Sequence, residues 1–225
     1  MDRISPSEGG DASSILAERT MIKAVFFDIG GVVAISWKKG PFEMMVERAA
    51  KLLHIPRKNV DAYFKSGIIR KLDEDKITEL QFWKRLCKKH SIPCPPQKLL
   101  RPILRVRAMR IVPEFGKIAR ALRTQGVIAG AISNAIKAHA EIGRKTGTYQ
   151  FFDPVILSCD IGVRKPKTKI FRIAVKKAGV RMSESIFFDD HQHNIDAANK
   201  LGMHAYLYKN LKQMRIALLK HGIWV

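Results

Sequence analysis

Three carboxylates close apolar runs that lie far apart in the chain. Asp28 ends AVFFD (24–28) and is followed at once by Gly30 and Gly31, while Asp189 and Asp190 end SIFFDD (185–190), about 160 residues later. An acid delivered by a buried strand into paired glycines is useful for chemistry. Glycine lets the backbone approach a ligand closely and turn its N–H groups toward an anion. If the two runs are neighbouring strands of one sheet, their acids meet at the same edge, and hard oxygen ligands gathered in that way suit Mg²⁺. Read singly, each acid has a plainer alternative as the cap of the turn or helix that follows it. Two further polar endings lie between them. VIAGAISN (127–134) closes an apolar run in Ser133 and Asn134, and LSCDIGVRKP (157–166) presents Lys165 ahead of a proline.

The elements that must position these groups alternate along the second half of the chain. Helices are expected at 113–124 (opened by Pro113 and Glu114, stopped by Gly126), 135–146, 167–178, 195–201 and 211–220, and strands at 127–132, 155–157, 186–188 and 204–208. Repeated βα units with apolar strands imply a parallel sheet covered on both faces. From Ser36 to about Arg110 there is no strand pattern. Phe42, Met45, Val46, Ala49, Leu52 and Leu53 share one helix face, and Thr78-x-x-Gln81 is a capping box ahead of Phe82, Trp83 and Leu86.

The segments FFDIGGVV, ISNA, SCDIGVRKP and FFDDHQHNIDAANKLGM, in this order over about residues 21–208, resemble the haloacid dehalogenase superfamily of hydrolases. Within it they look most like the alpha-D-glucose-1-phosphate phosphatase-like group with a helical cap. The resemblance implies an α/β fold, a Rossmann-like parallel sheet with helices on both faces and a helical cap domain inserted after the first strand. Residues 1–20 would then be a flexible extension, a misassigned start or an added remnant, 21–35 and 111–225 the core domain, and 36–110 the cap. It also implies a Mg²⁺-dependent phosphomonoesterase acting on a small phosphorylated metabolite such as a sugar phosphate.

Carried over residue by residue, Asp28 is the nucleophile that forms an aspartyl-phosphate, and it also touches Mg²⁺. Further metal ligands are the Gly30 carbonyl and Asp190, with Asp189 acting through water and Asn194 behind them. Ser133 donates its hydroxyl to a phosphoryl oxygen, and Lys165 neutralises phosphate charge and steadies Asp28. Backbone N–H groups of Ile29, Gly30 and Asn134 complete the cradle. One position departs from the common pattern. Most phosphatases of the superfamily carry a second Asp where this chain has Gly30, so the usual proton donor to the leaving alcohol is missing, although the glucose-1-phosphate group also has glycine there. Cap residues, His191 and His193 are candidate substitutes, with exposed loop residues the simpler reading of the histidines.

The 225 residues carry 41 Lys and Arg against 20 Asp and Glu, a formal charge of +21. Such a surface attracts polyanions, yet its cations, including Lys38–Lys39, Lys88–Lys89 and Lys176–Lys177, are spread along the chain without a nucleic-acid-reading motif. Unspecific polyanion binding, a field that favours anionic substrates, or plain surface adaptation are the readings this leaves. No apolar run approaches membrane-spanning length and no secretory signal is evident, so a soluble cytoplasmic protein without membrane partners is expected. Cys87, Cys94 and Cys159 form no CxxC pair and are expected to be reduced. Two alternatives to the phosphatase stand open: a metal-free 2-haloacid dehalogenase, and a catalytically weakened basic binding protein. Trp37, Phe64 and Trp83 either line a cap entrance or pack as core.

Overall fold

The computed structural model describes residues 21–36, 40–105 and 109–225. The N-terminal residues 1–20, Trp37 and the Lys38–Lys39 pair, which figure in the expectations above, lie outside them. Strand β1 (Ala24–Phe27) is followed by β2 (Ala34–Ser36), and helices α1 (Pro41–Leu53), α2 (Arg57–Tyr63), α3 (Ile69–Asp73), α4 (Glu79–Lys89) and α5 (Gln97–Leu104) make up an insert. Strand β3 (Met109–Ile111) leads back to α6 (Glu114–Thr124), β4 (Ile128–Ser133), α7 (Lys137–Lys145), β5 (Val155–Leu157), α8 (Ser158–Ile161) and α9 (Thr168–Ala178). The chain ends with β6 (Ser185–Asp189), α10 (Gln192–Asn199), β7 (His204–Leu207) and α11 (Leu211–Leu219).

The main sheet is parallel throughout, in the order β5-β4-β1-β6-β7. Phe27 of β1 stands opposite Ala131 of β4 on one side and Phe188 of β6 on the other. The chain runs from β1 outward through β4 to β5, then crosses to β6 on the other side of β1 and on to β7, and a crevice opens at the carboxyl ends of the strands where the order reverses, the place where ligands bind in open α/β sheets. The period-2 alternation of β1 sends Phe27 to the face covered by Phe115, Ile118 and Leu122 of α6 and Met214 and Leu218 of α11. Phe26 goes to the opposite face, with Phe171 and Val175 of α9 and Ile195 and Ala198 of α10. No described helix is long and apolar enough to cross a membrane.

The insert has a hydrophobic cluster of its own. Met45, Val46, Ala49 and Leu53 of α1 meet Phe82, Trp83 and Leu86 of α4 and Leu100 and Leu104 of α5, and the cluster extends to Ile136, just before α7, and Ala138 within it. Phe64 and Trp83 are buried in it, so they are core residues and do not line an entrance. The capping box at α4 forms as expected: Gln81 N–H donates to Thr78 Oγ1 at 3.2 Å, and Thr78 N–H donates to Gln81 Oε1 at 2.9 Å. Cys87, Cys94 and Cys159 are free thiols.

Three features correct the sequence reading. Strands β2 and β3 pair as an antiparallel ribbon at the root of the insert; three-residue strands are too short to show an alternation. Helix α7 starts at Lys137 and not at residue 135, because the Ala135 N–H is taken by Ser158 Oγ at 3.0 Å and Ile136 remains extended. Helix α10 starts earlier than residue 195, at Gln192, because Asp189 Oδ1 accepts the His191 N–H at 2.8 Å and turns the chain there.

Gly130 lies where β4 passes β1, and a Cβ at this position would fall 2.6 Å from the Phe26 ring and 3.1 Å from the Pro154 carbonyl oxygen. Gly130→Ala is therefore expected to cost about 1–3 kcal/mol through overpacking. The check is a lowered urea midpoint with an unchanged m-value; an unchanged midpoint would mean that the ring yields freely.

Candidate active site

The sheet brings the four polar endings to one edge. Asp28 follows β1 directly, its N–H donating to Phe188 O at 2.8 Å, so it stays in register with β6, which ends in Asp189. Ser133 ends β4 on the other flank and is buried. Lys165 lies between the two flanks. Its Nζ donates to Ile132 O at 2.7 Å and Asp189 Oδ2 at 2.6 Å, and it pairs with Asp28 Oδ1 at 2.8 Å. An ammonium has three N–H groups, and all three are used. The side chain is 1% exposed and sits 5.2 Å from the centre of the Phe187 ring. A phosphoryl group reaching this site would gain a donor from Lys165 only by displacing one of these acceptors; otherwise it feels the charge alone.

Asn134 contributes more than the backbone N–H assigned to it. Its Nδ2 donates to Lys165 O at 3.1 Å and its Oδ1 accepts from Lys165 N–H at 2.8 Å, a reciprocal clamp that fixes the loop carrying the lysine. The Ile29 N–H donates to Asp28 Oδ1 at 2.7 Å, so it orients the carboxylate and is not the free phosphate donor expected of it.

The two adjacent acids divide their work. Asp189 is fully buried and saturated: besides Lys165 it accepts two bonds of 3.0 Å from Asn194 Nδ2 and one from the His191 N–H. Asp190 is more open. Its Oδ2 packs against Gly31, where a Cβ would fall 2.1 Å away, and its Oδ1 lies 2.6 Å from His191 Nδ1. Gly31 has φ +83, a conformation that suits glycine. The structure thus gives Gly31 a role that was not assigned to it, which the doubled glycine after Asp28 could have signalled. His191 is exposed, as the simpler reading held, yet it is engaged with Asp190; its place next to the acid pair was the available clue. His193 is also exposed, but it lies in the first turn of α10 and not in a loop, with its ring 5.5 Å from that of His191.

Ligand atoms of Asp28, Asp189, Asp190 and His191 all lie within 4.8 Å of one another. Three carboxylates against one ammonium leave a formal excess of two negative charges. Burial, against the pull of Lys165 and with smaller pushes from Asp189 and Asp190, raises the Asp28 carboxyl to about 6 in all. Crowded hard oxygens with an unneutralised double negative charge fit a divalent cation such as Mg²⁺.

Residues 22–202 match the haloacid dehalogenase-like hydrolase family. The drimenol cyclase of Aspergillus calidoustus is 24% identical over 193 residues, which are 84% of this chain and 34% of that protein, so this chain spans about a third of its length. The glyceraldehyde 3-phosphate phosphatase of Methanocaldococcus jannaschii is 26% identical over 193 residues, 81% of this chain and 83% of that one. A haloacid dehalogenase family enzyme from Bacteroides thetaiotaomicron superposes with a TM-score of 0.71 at 20% identity, over 86% of this chain and 98% of that one. The same enzyme has been solved in complex with magnesium and inorganic phosphate.

The unequal engagement of the two acids separates their variants. Asp190→Ala is expected to weaken divalent-cation affinity by more than the ~10–100-fold typical of a residue that only supports a ligand, by calorimetry, with little change in stability. Asp189→Ala removes a buried partner of Lys165 and is expected to cost about 3–5 kcal/mol in urea unfolding. Equal losses of affinity in the two variants would contradict the division.

Proposed function

The chain belongs to the haloacid dehalogenase-like hydrolases, and from that premise we propose that it is a Mg²⁺-dependent phosphomonoesterase acting on a small sugar phosphate. The observation that carries this reading is the buried Lys165 ammonium joining Asp28 to Asp189 beside a more open Asp190, at the crevice of the sheet. The phosphatases among its relatives and the magnesium and phosphate bound to the Bacteroides enzyme lend it support. The likeness to the glucose-1-phosphate phosphatase-like group and the triose-phosphate activity of the Methanocaldococcus relative both point to phosphorylated sugars.

In this mechanism an oxygen of Asp28 attacks phosphorus, a P–O bond to the carboxylate forms, and the ester P–O bond breaks. The leaving oxygen departs with the bonding pair as an alkoxide or aryloxide and takes its proton from solvent water. Water then attacks the phosphorus of the aspartyl-phosphate and frees Asp28. The Ile29 N–H and Lys165 hold the nucleophile in place, and Ser133 with the N–H groups of Gly30 and Asn134 receives the phosphoryl oxygens. Asp28, Asp190 and the Gly30 carbonyl would hold Mg²⁺; Asp189, whose oxygens are already taken by Lys165, Asn194 and the His191 N–H, would support them from behind and not through the water expected of it. When bound, the metal offsets the repulsion between a carboxylate nucleophile and a phosphate dianion. A metal-free dehalogenation would have no use for Asp190. We further propose that the helical insert, residues 36–110, is a cap that closes over the substrate and excludes water.

The test is phosphate release from a panel of triose, hexose and aryl phosphates with Mg²⁺. Asp28→Asn should reduce turnover to background while the circular dichroism spectrum is retained. Retention of as much as about a tenth of the activity would refute the mechanism.

Gly30 lacks a carboxyl to protonate the leaving alcohol, assistance that is worth about 10²–10⁴-fold elsewhere. Aryl and acyl phosphates should therefore turn over faster than alkyl phosphates, with kcat rising as leaving-group pKa falls. A flat dependence would mean that another residue supplies the proton.

A further inference from the structure

Asp73, Glu74 and Asp75, three consecutive acids in a chain with twice as many cations as acids, form the turn that ends α3 of the insert. Three like charges in a row repel one another unless each finds a partner. Each finds one across the gap, on the sheet-bearing part of the chain. Asp73 Oδ2 lies 3.2 Å from Arg164 Nε, Glu74 Oε1 bonds to Lys167 Nζ, and Asp75 Oδ2 bonds to Lys137 Nζ at 2.6 Å. Glu74 also holds Lys76 of its own turn at 2.8 Å through Oε2. The Glu74 carbonyl oxygen lies over Gly162, where a Cβ would come within 3.8 Å.

The positions of these cations are what give the turn its meaning. Arg164 and Lys167 flank Lys165 in sequence, and Lys137 opens α7 three residues after Asn134, the side chain that clamps the Lys165 backbone. A single turn of the insert therefore grips both segments that carry the phosphate-handling groups. Its contacts differ in weight. Lys137–Asp75 is largely exposed and screened, whereas Asp73 and Arg164 are mostly buried, with side-chain exposures of 10% and 22%.

We propose that the Asp73–Asp75 turn is a positioning element, in which the Asp73–Arg164 pair couples the seating of the cap to the alignment of the Lys165 ammonium with Asp28. This rests on the phosphatase reading above. Asp73 touches neither the metal-binding carboxylates nor Lys165 itself; it acts through the loop. The cap thereby sets the electrostatics of the nucleophile in addition to covering it.

The experiment compares Asp73→Asn, Arg164→Gln and the double variant in the full-length protein, with Asp61→Asn as a control. Asp61 pairs with Lys65 on the surface of the same insert. Using an aryl phosphate and Mg²⁺, each single variant should lose about tenfold in kcat with KM changed less than about twofold, and the double variant should lose no more than either single one. Asp73→Glu, which keeps the charge, should recover most of the rate. Independently of turnover, backbone amide exchange over residues 163–168 should quicken in the two single variants and not in Asp61→Asn. If one single variant fails to fold, the other, which breaks the same pair from the opposite side, decides. Unchanged kcat with unchanged exchange at 163–168 would overturn the proposal and leave the pair a plain structural contact. A wild-type protein that releases no phosphate from any substrate would sink the phosphatase reading instead. In that event the exchange measurement still tests whether the turn holds the loop.

Discussion

The buried ammonium of Lys165 is the interaction on which the site depends. It lies at the junction of β1, β4 and β6 with all three of its hydrogens committed, to Asp28, to Asp189 and to the carbonyl of Ile132. A cation buried to this degree is tolerable only with such partners. Conversely, the two acids can be held side by side at the sheet edge only because the lysine is between them. The charge it leaves unneutralised, near Asp190, is what gives a divalent cation a place.

Much of the surrounding structure serves to hold that lysine. The Asn134 side chain fixes its backbone from the β4 side, Asn194 and the His191 N–H hold Asp189 in place to receive it, and Phe187 packs under its charge. The second glycine after Asp28 has a complementary part. Gly31 lets Asp190 approach more closely than any side chain would allow. The site is thus built by withholding side chains as much as by supplying them.

The parallel sheet and the candidate acids were legible in the sequence because buried strands that end in carboxylates leave a strong local mark. AVFFD and SIFFDD needed only adjacency, which the β1–β6 register supplies. The capping box at Thr78 and the apolar face of α1 were legible for the same reason, since both are set within a few residues. What the sequence did not disclose are the long-range partners. The Asn134 clamp spans 31 residues and the Asp73–Arg164 pair 91, and neither leaves a periodic trace. The β2–β3 ribbon escaped because three residues per strand carry no readable alternation. The different duties of Asp189 and Asp190, identical in type and adjacent in sequence, follow from burial and hydrogen bonding alone.

The central claim is that Asp28, held by Lys165, becomes covalently phosphorylated. The most direct measurement is rapid acid quenching of the Mg²⁺-loaded protein during turnover of an aryl phosphate, followed by peptide mass spectrometry. A phosphoryl adduct on the peptide that contains Asp28, formed and lost at rates compatible with turnover, is the predicted result. Phosphate release with no adduct at any time, or with the adduct on another residue such as His191, would contradict the account.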